Sequence, residues 1–383
     1  MSTQSKAILA SAPNYPDHSP GSNWSLENIS VPNDLKDGEL LVDMLASGIC
    51  HTDLISTGVP GGTPGFPYPY VAGHEGSGYV KAVGPGVKKD IKVGDPVLLS
   101  FAHCGQCESC EQRHPAYCSA FFPLNIYPVE DVFKAEDDSG VAGKFFGQSS
   151  FAKLSVVKES SVLVVRDLVT DKEELKLFAP LGCGIQTGAG ATLNVAKPEE
   201  RDRVMILGVG GVGLSALMAA KMLGCEQIIA VDRVKSRLEL AKSLGATHSI
   251  DTTGVEDLTA TFKEITGGRG PTVVIDTSAY VPLMKAAYNS LAARGTFVFV
   301  GANLDPAFNM ELGITQHMMN GTRLLGCAEG DSLPEEFIPQ LIKYQREGKF
   351  QLDKISKFYK AEDFKNALHD MHTGEAIKPI LTW

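Results

Sequence analysis

The chain has 383 residues, of which 43% are hydrophobic and 21% are charged, a balance typical of a folded globular protein rather than a disordered one. At roughly 150 residues per domain, this length predicts two domains that each bury a core. The formal net charge of −10 argues against nucleic acid or an anionic membrane as a partner, and no apolar run reaches the roughly 20 residues of a membrane span. The N-terminal segment contains neither a signal-peptide core nor an Arg-rich amphipathic face, so we expect a cytoplasmic protein.

The first part of the chain, residues 1–180, is rich in Gly and Pro and contains short β runs. Examples are GELLVDMLASG, GSGYVKAVGPGV and AKLSVVK. Short strands separated by turn residues are typical of antiparallel barrels. We therefore predict a partly open β-barrel here, and we expect it to contain two metal sites.

Four cysteines lie close together with the spacing C-x2-C-x2-C-x7-C: Cys104, Cys107, Cys110 and Cys118. Four thiolates in one loop can enclose a tetrahedral Zn2+, and such a closed site is structural because no coordination position stays open. Two disulfides or an iron–sulfur cluster are the alternatives. Neighbouring Cys-x2-Cys pairs bridge poorly in ordinary loops, and the fourth cysteine lacks the following Pro of the bacterial iron–sulfur pattern. The spacing therefore favours a structural zinc.

Three other residues form a candidate catalytic zinc site: Cys50 in SGICHTD, His74 in AGHEGSG and Cys183 in PLGCGIQTG. Two Cys and one His are a known set of ligands that leaves one position open. Taken singly, Cys183 is typical of a small buried residue and His74 of a core or turn histidine. Their occurrence together with the four-cysteine loop favours metal binding. Cys225 and Cys327 lie in apolar contexts and are predicted to belong to the core.

A glycine-rich turn in the middle of the chain lies between a predicted strand and a predicted helix. The strand ends at Leu207, the turn has the pattern Gly208-x-Gly210-x-x-Gly213, and Asp232 follows about 20 residues later. In this context the pattern is a dinucleotide fingerprint, because glycines let the pyrophosphate approach the N-terminus of the helix. Asp232 should accept hydrogen bonds from the adenosine ribose, which favours NAD over NADP. The alternative is a purely structural glycine turn, and Arg233 leaves some tolerance for NADP.

Helical and strand patterns alternate from this turn to about residue 330. Such alternation predicts a doubly wound parallel sheet, whose ligand binds at the carboxyl ends of the strands. GTRLLGCAEG is the candidate for a sixth strand. Helices are predicted at about 334–347 and 361–372, and AIKPILTW is predicted to be a closing strand.

Several motifs together resemble one family over essentially the full chain: GICHTDL, GHEGSG, the four-cysteine loop, FFGQSSFA, LGCGIQTGAGA, GVGGVG and IKPIL. They resemble the zinc-dependent medium-chain alcohol dehydrogenases, and LGCGIQTGAGA and EEFIPQLIKYQREGKF resemble the aryl-alcohol (benzyl alcohol) subgroup. The resemblance implies an α/β fold with a GroES-like catalytic domain at 1–180 and a Rossmann domain at 181–320. Residues 321–383 would supply the last sheet strand and return to the first domain.

The resemblance also implies an activity. The chain would transfer hydride between a primary, aromatic or bulky, alcohol/aldehyde pair and NAD, with one catalytic and one structural zinc ion per chain. By analogy it would be a homodimer or homotetramer with a small-molecule substrate. An aldehyde reductase of a specialised biosynthetic pathway is the alternative enzyme. A dinucleotide-binding protein with only a structural zinc is the alternative from another class, and metal content distinguishes it.

Carried over position by position, the resemblance implies roles for individual residues. Cys50, His74 and Cys183 would hold the catalytic zinc, which Glu75 can approach transiently. Asp53 would orient His74, and Thr52 would hydrogen-bond the substrate oxygen. The cofactor would be bound by His51, Gly208, Gly210, Gly211, Val212, Gly213, Asp232, Arg237, Val300 and Lys378. Taken singly, Thr52 and Asp53 are also typical turn caps, and Lys378 is a typical surface charge.

One position departs from many members of the family, which have a proton-relaying histidine five residues after the first zinc cysteine. Here that residue is Ile55. The aryl-alcohol subgroup resembles this chain in having an apolar residue there, so water or another route through Thr52 would have to release the proton. Phe145 and Phe146 match pocket-lining positions, and a small residue at Ala302 would leave room for a substrate ring.

Overall fold

A computed structural model describes residues 2–13, 21–303, 305 and 307–383. The prediction that the chain has no targeting signal rests partly on Met1 and residues 14–20, which lie outside the described residues. The chain forms two compact units. The first comprises Met1–Cys183, Leu333–Ile342 and Leu352–Trp383, and the second comprises Gly184–Ser332 and Lys343–Gln351. Among the helices of the described residues, none is both long and apolar enough to span a bilayer.

The strands of the first unit begin with β1 (Ser2–Ala10), β2 (Trp24–Pro32), β3 (Glu39–Gly48), β4 (Tyr70–Val71), β5 (Gly76–Val83), β6 (Pro96–Leu99), β7 (Val129–Ala135), β8 (Gly140–Gly143), β9 (Leu154–Lys158) and β10 (Val162–Val164). Those of the second unit are β11 (Arg203–Leu207), β12 (Gln227–Asp232), β13 (His248–Asp251), β14 (Val273–Asp276), β15 (Thr296–Phe299) and β16 (Arg323–Gly326). The chain then returns to the first unit with β17 (Ser356–Lys360) and β18 (Lys378–Thr382).

The helices that precede the second unit are short: α1 (His51–Thr57), α2 (Glu108–Glu111), α3 (Phe121–Asn125) and α4 (Lys172–Leu177). Those of the second unit are α5 (Gly184–Gly190), α6 (Gly211–Met222), α7 (Lys235–Leu244), α8 (Leu258–Glu264), α9 (Val281–Ser290) and α10 (Ile314–Asn320). The last three are α11 (Pro334–Arg346), α12 (Leu352–Ile355) and α13 (Phe364–Thr373).

The first unit contains two sheets. Strands β1, β2, β7, β8 and β4 close into a barrel, and the other sheet has the order β10-β6-β5-β3-β18-β17, with β9 also paired to β3. Alternate residues of β3, Leu40, Val42 and Met44, lie in its core with Val97 and Leu99 of β6, as the two-residue period of a strand requires. The predicted barrel thus consists of a closed ring and a separate open sheet. Strands β18 and β17, which come from the end of the chain, extend the open sheet beyond β3.

The second unit contains the predicted parallel sheet, in the order β13-β12-β11-β14-β15-β16. Every strand pair in it is parallel, and Arg323–Gly326 is the sixth strand, as the sequence predicted. The five residues of β11 are all buried, which fits a strand covered on both faces. The strand order reverses between β11 and β14, where open α/β sheets bind ligands at their carboxyl ends.

Candidate metal centres and dinucleotide turn

Cys50 lies where β3 ends and α1 begins. It is the N-cap residue of the helix, with extended backbone angles, and its N–H donates to Oδ2 of Asp53 at 2.9 Å. This capping interaction fixes the first turn of α1 and the direction of the Cys50 side chain.

His74 lies between β4 and β5 and is completely buried. Its Nδ1 lies 2.8 Å from Oδ1 of Asp53, which also accepts from the N–H of Gly73 at 3.0 Å. Because a carboxylate only accepts, the proton belongs on Nδ1, and the Nε2 lone pair is left for a metal. Nε2 is buried and has no hydrogen-bond partner among the described residues, so its lone pair fits the role of a metal ligand.

Cys183 is placed by close packing against β6. The hydroxyl of Ser100 donates to the carbonyl of Gly182 at 2.7 Å. A Cβ at Gly182 would lie 1.8 Å from the carbonyl oxygen of Leu99, so only glycine fits there. Gly182, directly before the ligand, is therefore what lets this segment pack against the strand.

The three predicted ligands of the catalytic zinc come together. The Sγ atoms of Cys50 and Cys183 and a ring nitrogen of His74 all lie within 4.8 Å of one another, and all three residues are buried. The hydrogen bond from Cys183 lowers the pKa of Cys50 well below its ordinary value, although burial opposes this. Two thiols and an unpartnered imidazole nitrogen, with Cys50 inclined to ionise, fit Zn2+ with one position left for another ligand.

Gln148 supports two of the segments that hold the ligands, although sequence reasoning did not single it out. Its amide nitrogen donates to the carbonyls of His74 at 2.9 Å and Ser100 at 3.0 Å. Its amide oxygen accepts from the N–H of Gly76 at 3.0 Å. Gln148 is one of three successive polar residues in FFGQSSFA, and it was a weak signal because the sequence pattern does not show whether such a residue is buried.

Glu75 and Lys378 form a buried ion pair. Nζ of Lys378 lies 2.9 and 3.0 Å from the two carboxylate oxygens of Glu75 and also donates to the carbonyl of Ile49 at 3.3 Å. Burial raises the pKa of Glu75, and Lys378 acts against that rise. Burial disfavours the charge of Lys378, but the neighbouring carboxylate raises its pKa above the ordinary value. Gly48 makes room, since a Cβ there would lie 2.1 Å from a carboxylate oxygen of Glu75.

The first turn of α1 places three further predicted residues. Oγ1 of Thr52 lies 3.8 Å from Sγ of Cys50, so this hydroxyl is close to the metal ligands. His51 is exposed at the start of the helix, and Ile55 is half-buried. His51 and Lys378, both expected to contact the cofactor, belong to the first unit, and their cofactor roles stay predictions.

The Sγ atoms of the four cysteines of the second metal group all lie within 4.8 Å of one another. The Sγ–Sγ distances are 3.5 Å for Cys107–Cys110, 3.9 Å for Cys107–Cys118 and 4.0 Å for Cys104–Cys110. Zinc–sulfur bonds of about 2.3 Å in a tetrahedron require separations of about 3.8 Å. The N–H of Ser119 contributes most to lowering the pKa of Cys107 to about 5, whereas burial raises that of Cys110 to about 12. Four thiolates this close need a cation, and the spacing fits zinc.

The predicted fingerprint turn lies at the carboxyl end of β11. Gly208 has a φ of +79°, which favours glycine. A Cβ at Gly213 would lie 1.9 Å from the carbonyl oxygen of Gly208, whereas a Cβ at Gly210 would meet nothing within 4 Å. The glycines therefore have different tasks. Gly213 lets the first turn of α6 pack on the loop, and Gly210 leaves open space beside the helix N-terminus, as a bound pyrophosphate needs.

Asp232 ends β12 and faces this turn. One carboxylate oxygen accepts from the N–H of Val209 at 2.9 Å. The other accepts from the N–H groups of Arg233 and Val234 at 2.8 and 2.9 Å. Arg237 lies 4.0 Å from the carboxylate. The hydrogen bonds fix the orientation of Asp232 at the edge of the sheet where a ribose is expected.

Val300 directly follows β15, and its N–H donates to the carbonyl of Asp276 at 2.9 Å. The second unit thus brings together, at the carboxyl ends of its strands, the glycine turn and two further predicted residues, Asp232 and Val300. This arrangement fits a dinucleotide site. Thr277, which follows β14 at the same edge, was missed by the sequence analysis because a single threonine in TVVIDTS has no pattern.

Comparisons with known proteins agree with this construction. Residues 36–167 match the alcohol dehydrogenase GroES-like domain and residues 211–344 the zinc-binding dehydrogenase family. Geraniol dehydrogenase of Castellaniella defragrans is 38% identical over 93% of this chain and 92% of its own length. The crystal structure of benzyl alcohol dehydrogenase from Acinetobacter calcoaceticus is 36% identical with a TM-score of 0.87, covering 99% of each chain. An alcohol dehydrogenase zinc-binding domain protein from Burkholderia ambifaria is also 36% identical, with a TM-score of 0.89, covering 100% and 99%.

The chain belongs to the zinc-dependent alcohol dehydrogenase family. It is an enzyme for NAD-linked alcohol/aldehyde oxidoreduction, with a GroES-like domain and a Rossmann-like domain. The resemblance seen in the sequence is thereby confirmed. The relatives do not favour the alternatives of a specialised aldehyde reductase or a binding protein without catalysis.

Proposed function

We propose that this enzyme interconverts primary aromatic or bulky alcohols and their aldehydes with NAD as the cofactor. Two relatives support this substrate class, since one is named for geraniol and another for benzyl alcohol. Both alcohols are larger than ethanol, and in both the CH2OH group is attached to an unsaturated carbon. The observation that carries the proposal within this chain is a group of aromatic rings around a metal ligand.

The rings of Phe145 and Phe146 pack directly on His74. The Phe146 ring stacks on the imidazole with a centroid distance of 4.4 Å and an angle of 25°, and Phe145 approaches edge-on at 5.6 Å. Phe121 meets Phe146 edge-on at 6.2 Å, and Tyr70 lies 6.2 Å from Phe145. This apolar wall suits a flat, unsaturated substrate and keeps water from the metal.

Zinc and NAD would divide the chemistry. When held by Cys50, His74 and Cys183, zinc supplies a Lewis acid for the substrate oxygen, and NAD supplies the hydride acceptor. The side chains do the remaining work. Asp53 keeps the proton of His74 on Nδ1. The Thr52 hydroxyl, 3.8 Å from Sγ of Cys50, would accept the alcohol proton while passing its own proton to water.

Lys378 holds the Glu75 carboxylate in an ion pair close to the ligand segments. In this arrangement the negative charge of Glu75 is balanced by an ammonium group. We propose that this pairing limits competition by Glu75 for the open position of the metal.

The proposal is tested by following NAD+ reduction at 340 nm with benzyl, cinnamyl, geranyl and ethyl alcohols. We expect kcat/KM for the three large alcohols to exceed that for ethanol by at least about a hundredfold, since each added buried methylene contributes roughly 0.8 kcal/mol. Cys183→Ala is the control for zinc dependence and should be inactive on all four. A preference of the wild type for ethanol would contradict the substrate class but leave the family assignment intact.

We also propose that the chain forms a homodimer through the β16 side of the parallel sheet. Within the described residues, β16 is the last strand in the order of this sheet, and an edge strand can pair with a strand of another chain. On the neighbouring helix α10, Ile314, Met318 and Met319 are 76%, 67% and 74% exposed. Adjacent exposed apolar side chains of this size mark contact surfaces.

Light scattering tests the dimer. We expect a mass of about twice the 41.0 kDa of one chain for the wild type and a shift toward one chain for the double variant Met318→Glu/Met319→Glu. Phe358→Glu, at a 45% exposed apolar residue of the first unit, is the control and should leave the mass unchanged. A monomeric wild type would overturn this part of the proposal.

A cytoplasmic location completes the proposal. All eight cysteines are free thiols, and six of them belong to the two metal groups. Free thiols in this number are typical of a reducing compartment. Fractionation of the producing cells, with activity assayed in each fraction, tests the location.

A further inference from the structure

The peptide unit between Gly208 and Val209 is held at both polar ends by side chains. Its carbonyl oxygen accepts a hydrogen bond from Oγ1 of Thr277 at 2.8 Å, and its N–H donates to Oδ2 of Asp232 at 2.9 Å. Asp232 ends β12 and Thr277 follows β14, and these strands lie on either side of β11. The peptide plane therefore cannot rotate without losing a hydrogen bond at each end.

Thr277 also holds the residue before the turn. Its N–H donates to the carbonyl of Leu207 at 2.9 Å, and its Oγ1 lies 3.0 Å from the same oxygen. The hydroxyl oxygen thus lies within hydrogen-bond distance of two successive carbonyls, those of Leu207 and Gly208. A Cβ at Gly208 would lie 3.1 Å from Oγ1, so the threonine side chain packs directly against the turn.

The orientation of this peptide matters because the proposed ligand of the turn is an anion. Helix N-termini bind pyrophosphate through N–H groups and repel it through carbonyl oxygens. The carbonyl of Gly208 lies where the first turn of α6 packs on it, as the close approach of Gly213 shows. If the peptide rotated, the partially negative carbonyl oxygen of Gly208 would leave its contact with α6. It would then lie elsewhere in a turn that has to accept phosphate.

We infer that Thr277 is a positioning residue for the cofactor. Its hydroxyl sets the Gly208–Val209 peptide in the orientation that NAD needs, so the turn is formed before the cofactor arrives. Thr277 acts through the turn and not on reacting atoms. The inference rests on the assignment of this turn as the pyrophosphate site.

The test compares variants that lose the hydroxyl with one that keeps it. Thr277→Val and Thr277→Ala should both raise the Kd for NADH and the KM for NAD+ about tenfold, the expected effect of one lost hydrogen bond. The kcat at saturating NAD+ and the KM for the alcohol should stay within about twofold. Thr277→Ser should restore the wild-type values. Because valine crowds the site and alanine leaves space, an effect common to both reports the hydroxyl, and either variant suffices if the other does not fold.

Thr272→Val is the matched control at the opposite end of the same strand pair. The Thr272 hydroxyl accepts from the N–H of Arg203 at 2.8 Å, so the variant loses a comparable hydrogen bond far along β11 from the turn. It should lower the thermal midpoint and leave the Kd for NADH unchanged. A second readout uses two inhibitors. ADP-ribose, which contains the pyrophosphate, should lose about tenfold in affinity for Thr277→Ala, whereas adenosine should bind this variant and the wild type equally.

Two results would overturn the inference: an unchanged Kd for NADH in both hydroxyl-free variants, or a Thr277→Ser protein that binds as weakly as Thr277→Ala. Equal losses for adenosine and ADP-ribose would also count against it, because they would indicate general damage. A wild type that binds no NADH would instead refute the dinucleotide assignment of the turn, so the two failures are distinguishable.

Discussion

Asp53 shows how one side chain can organise a metal centre. Its two oxygens accept hydrogen bonds from Cys50, Gly73 and His74, at distances of 2.8–3.0 Å. The carboxylate therefore connects the segment that presents the first thiol with the segment that presents the imidazole. Partners of this kind set the tautomer and orientation of a histidine ligand and raise its basicity.

Asp53→Asn should weaken binding of the catalytic zinc. An amide has a single acceptor oxygen, so its NH2 group would face a donor that the carboxylate now satisfies. We expect zinc affinity and activity to fall about 10- to 100-fold, measured as zinc per chain after equilibration with graded chelator. Asp43→Asn is the control, because Asp43 is 41% exposed and pairs with Lys153. Zinc retention equal to that of the wild type would show that the carboxylate is dispensable.

The sequence predicted which cysteines and histidine come together much better than it predicted the residues around them. Cysteine and histidine are rare and occurred in recognisable motifs, so Cys50, His74 and Cys183 could be found without a structure. Gln148 and Ser100 were missed because whether a polar residue is buried depends on tertiary packing. Lys378 was expected to contact the cofactor, and the structure pairs it with Glu75, which lies 303 residues away. A contact at that separation leaves no local pattern.

At the scale of elements, the glycines of the turn between β11 and α6 meet different structural requirements. Gly208 needs its positive φ, Gly213 needs its lack of a side chain for packing, and Gly210 needs neither within the protein itself. The sequence motif does not distinguish the three glycines from one another, and only the structure shows why each position requires glycine.

Substitution of two of these glycines should give different outcomes. Gly213→Ala should lower the thermal midpoint of the cofactor-free protein, because its Cβ would lie 1.9 Å from a backbone oxygen. Gly210→Ala should leave the midpoint within about 1 °C and raise the KM for NAD+ about tenfold or more, since its methyl group enters the space kept for the ligand. Thermal scans and initial rates of both variants decide this. The same thermal loss in both would refute the division of tasks.

A second prediction concerns the pairing of β6 with β10. Arg166, just after β10, donates from Nε and Nη2 to Asp95 at 3.0 and 2.5 Å and from Nη1 to Asp90 at 3.2 Å. The hydrogen bonds from Arg166 are the main reason why the pKa values of Asp95 and Asp90 lie below their ordinary range. A carboxylate with a lowered pKa in the folded state stabilises the protein above its unfolded pKa of about 3.9 and loses that effect as the pH falls.

Arg166→Gln should therefore lower the thermal midpoint at neutral pH, and the difference from the wild type should fade below about pH 4, as Asp95 is protonated. Thermal scans from pH 7 to pH 3 measure this. Lys242→Gln is the control, since it removes an exposed pair with Glu239 that contributes little at any pH. A difference that persists undiminished at pH 3 would exclude the ion pair as its cause.

For the whole molecule, the sequence predicted the parallel sheet more fully than the other sheets. Strands β11 to β16 alternate with helices along the chain, so their parallel arrangement follows from local patterns. In the first unit β3 pairs with β18, whose partner residues Ile380 and Gly48 lie more than 300 positions apart. Such a pairing follows from no local pattern, and neither does the division of β strands between a closed ring and an open sheet.

The two units also divide the binding work, and this leads to a prediction about the complete enzyme. All ligands of both metal groups belong to the first unit, whereas the fingerprint turn and Asp232 belong to the second. Loss of the catalytic zinc should therefore stop turnover without removing the dinucleotide turn. Cys183→Ala should contain one zinc per chain, lose at least about a thousandfold in kcat, and bind NADH with a Kd within about threefold of the wild type.

The contrast is a variant of the four-cysteine loop. Cys110→Ala should also contain one zinc per chain, but its main effect should be a lower thermal midpoint, because a structural zinc contributes to folding. Metal analysis, NADH fluorescence titration and thermal scans of both variants separate the two roles. If Cys183→Ala loses NADH affinity by more than about tenfold, metal and cofactor binding are coupled. The independence of the dinucleotide site from the metal centre would then be wrong.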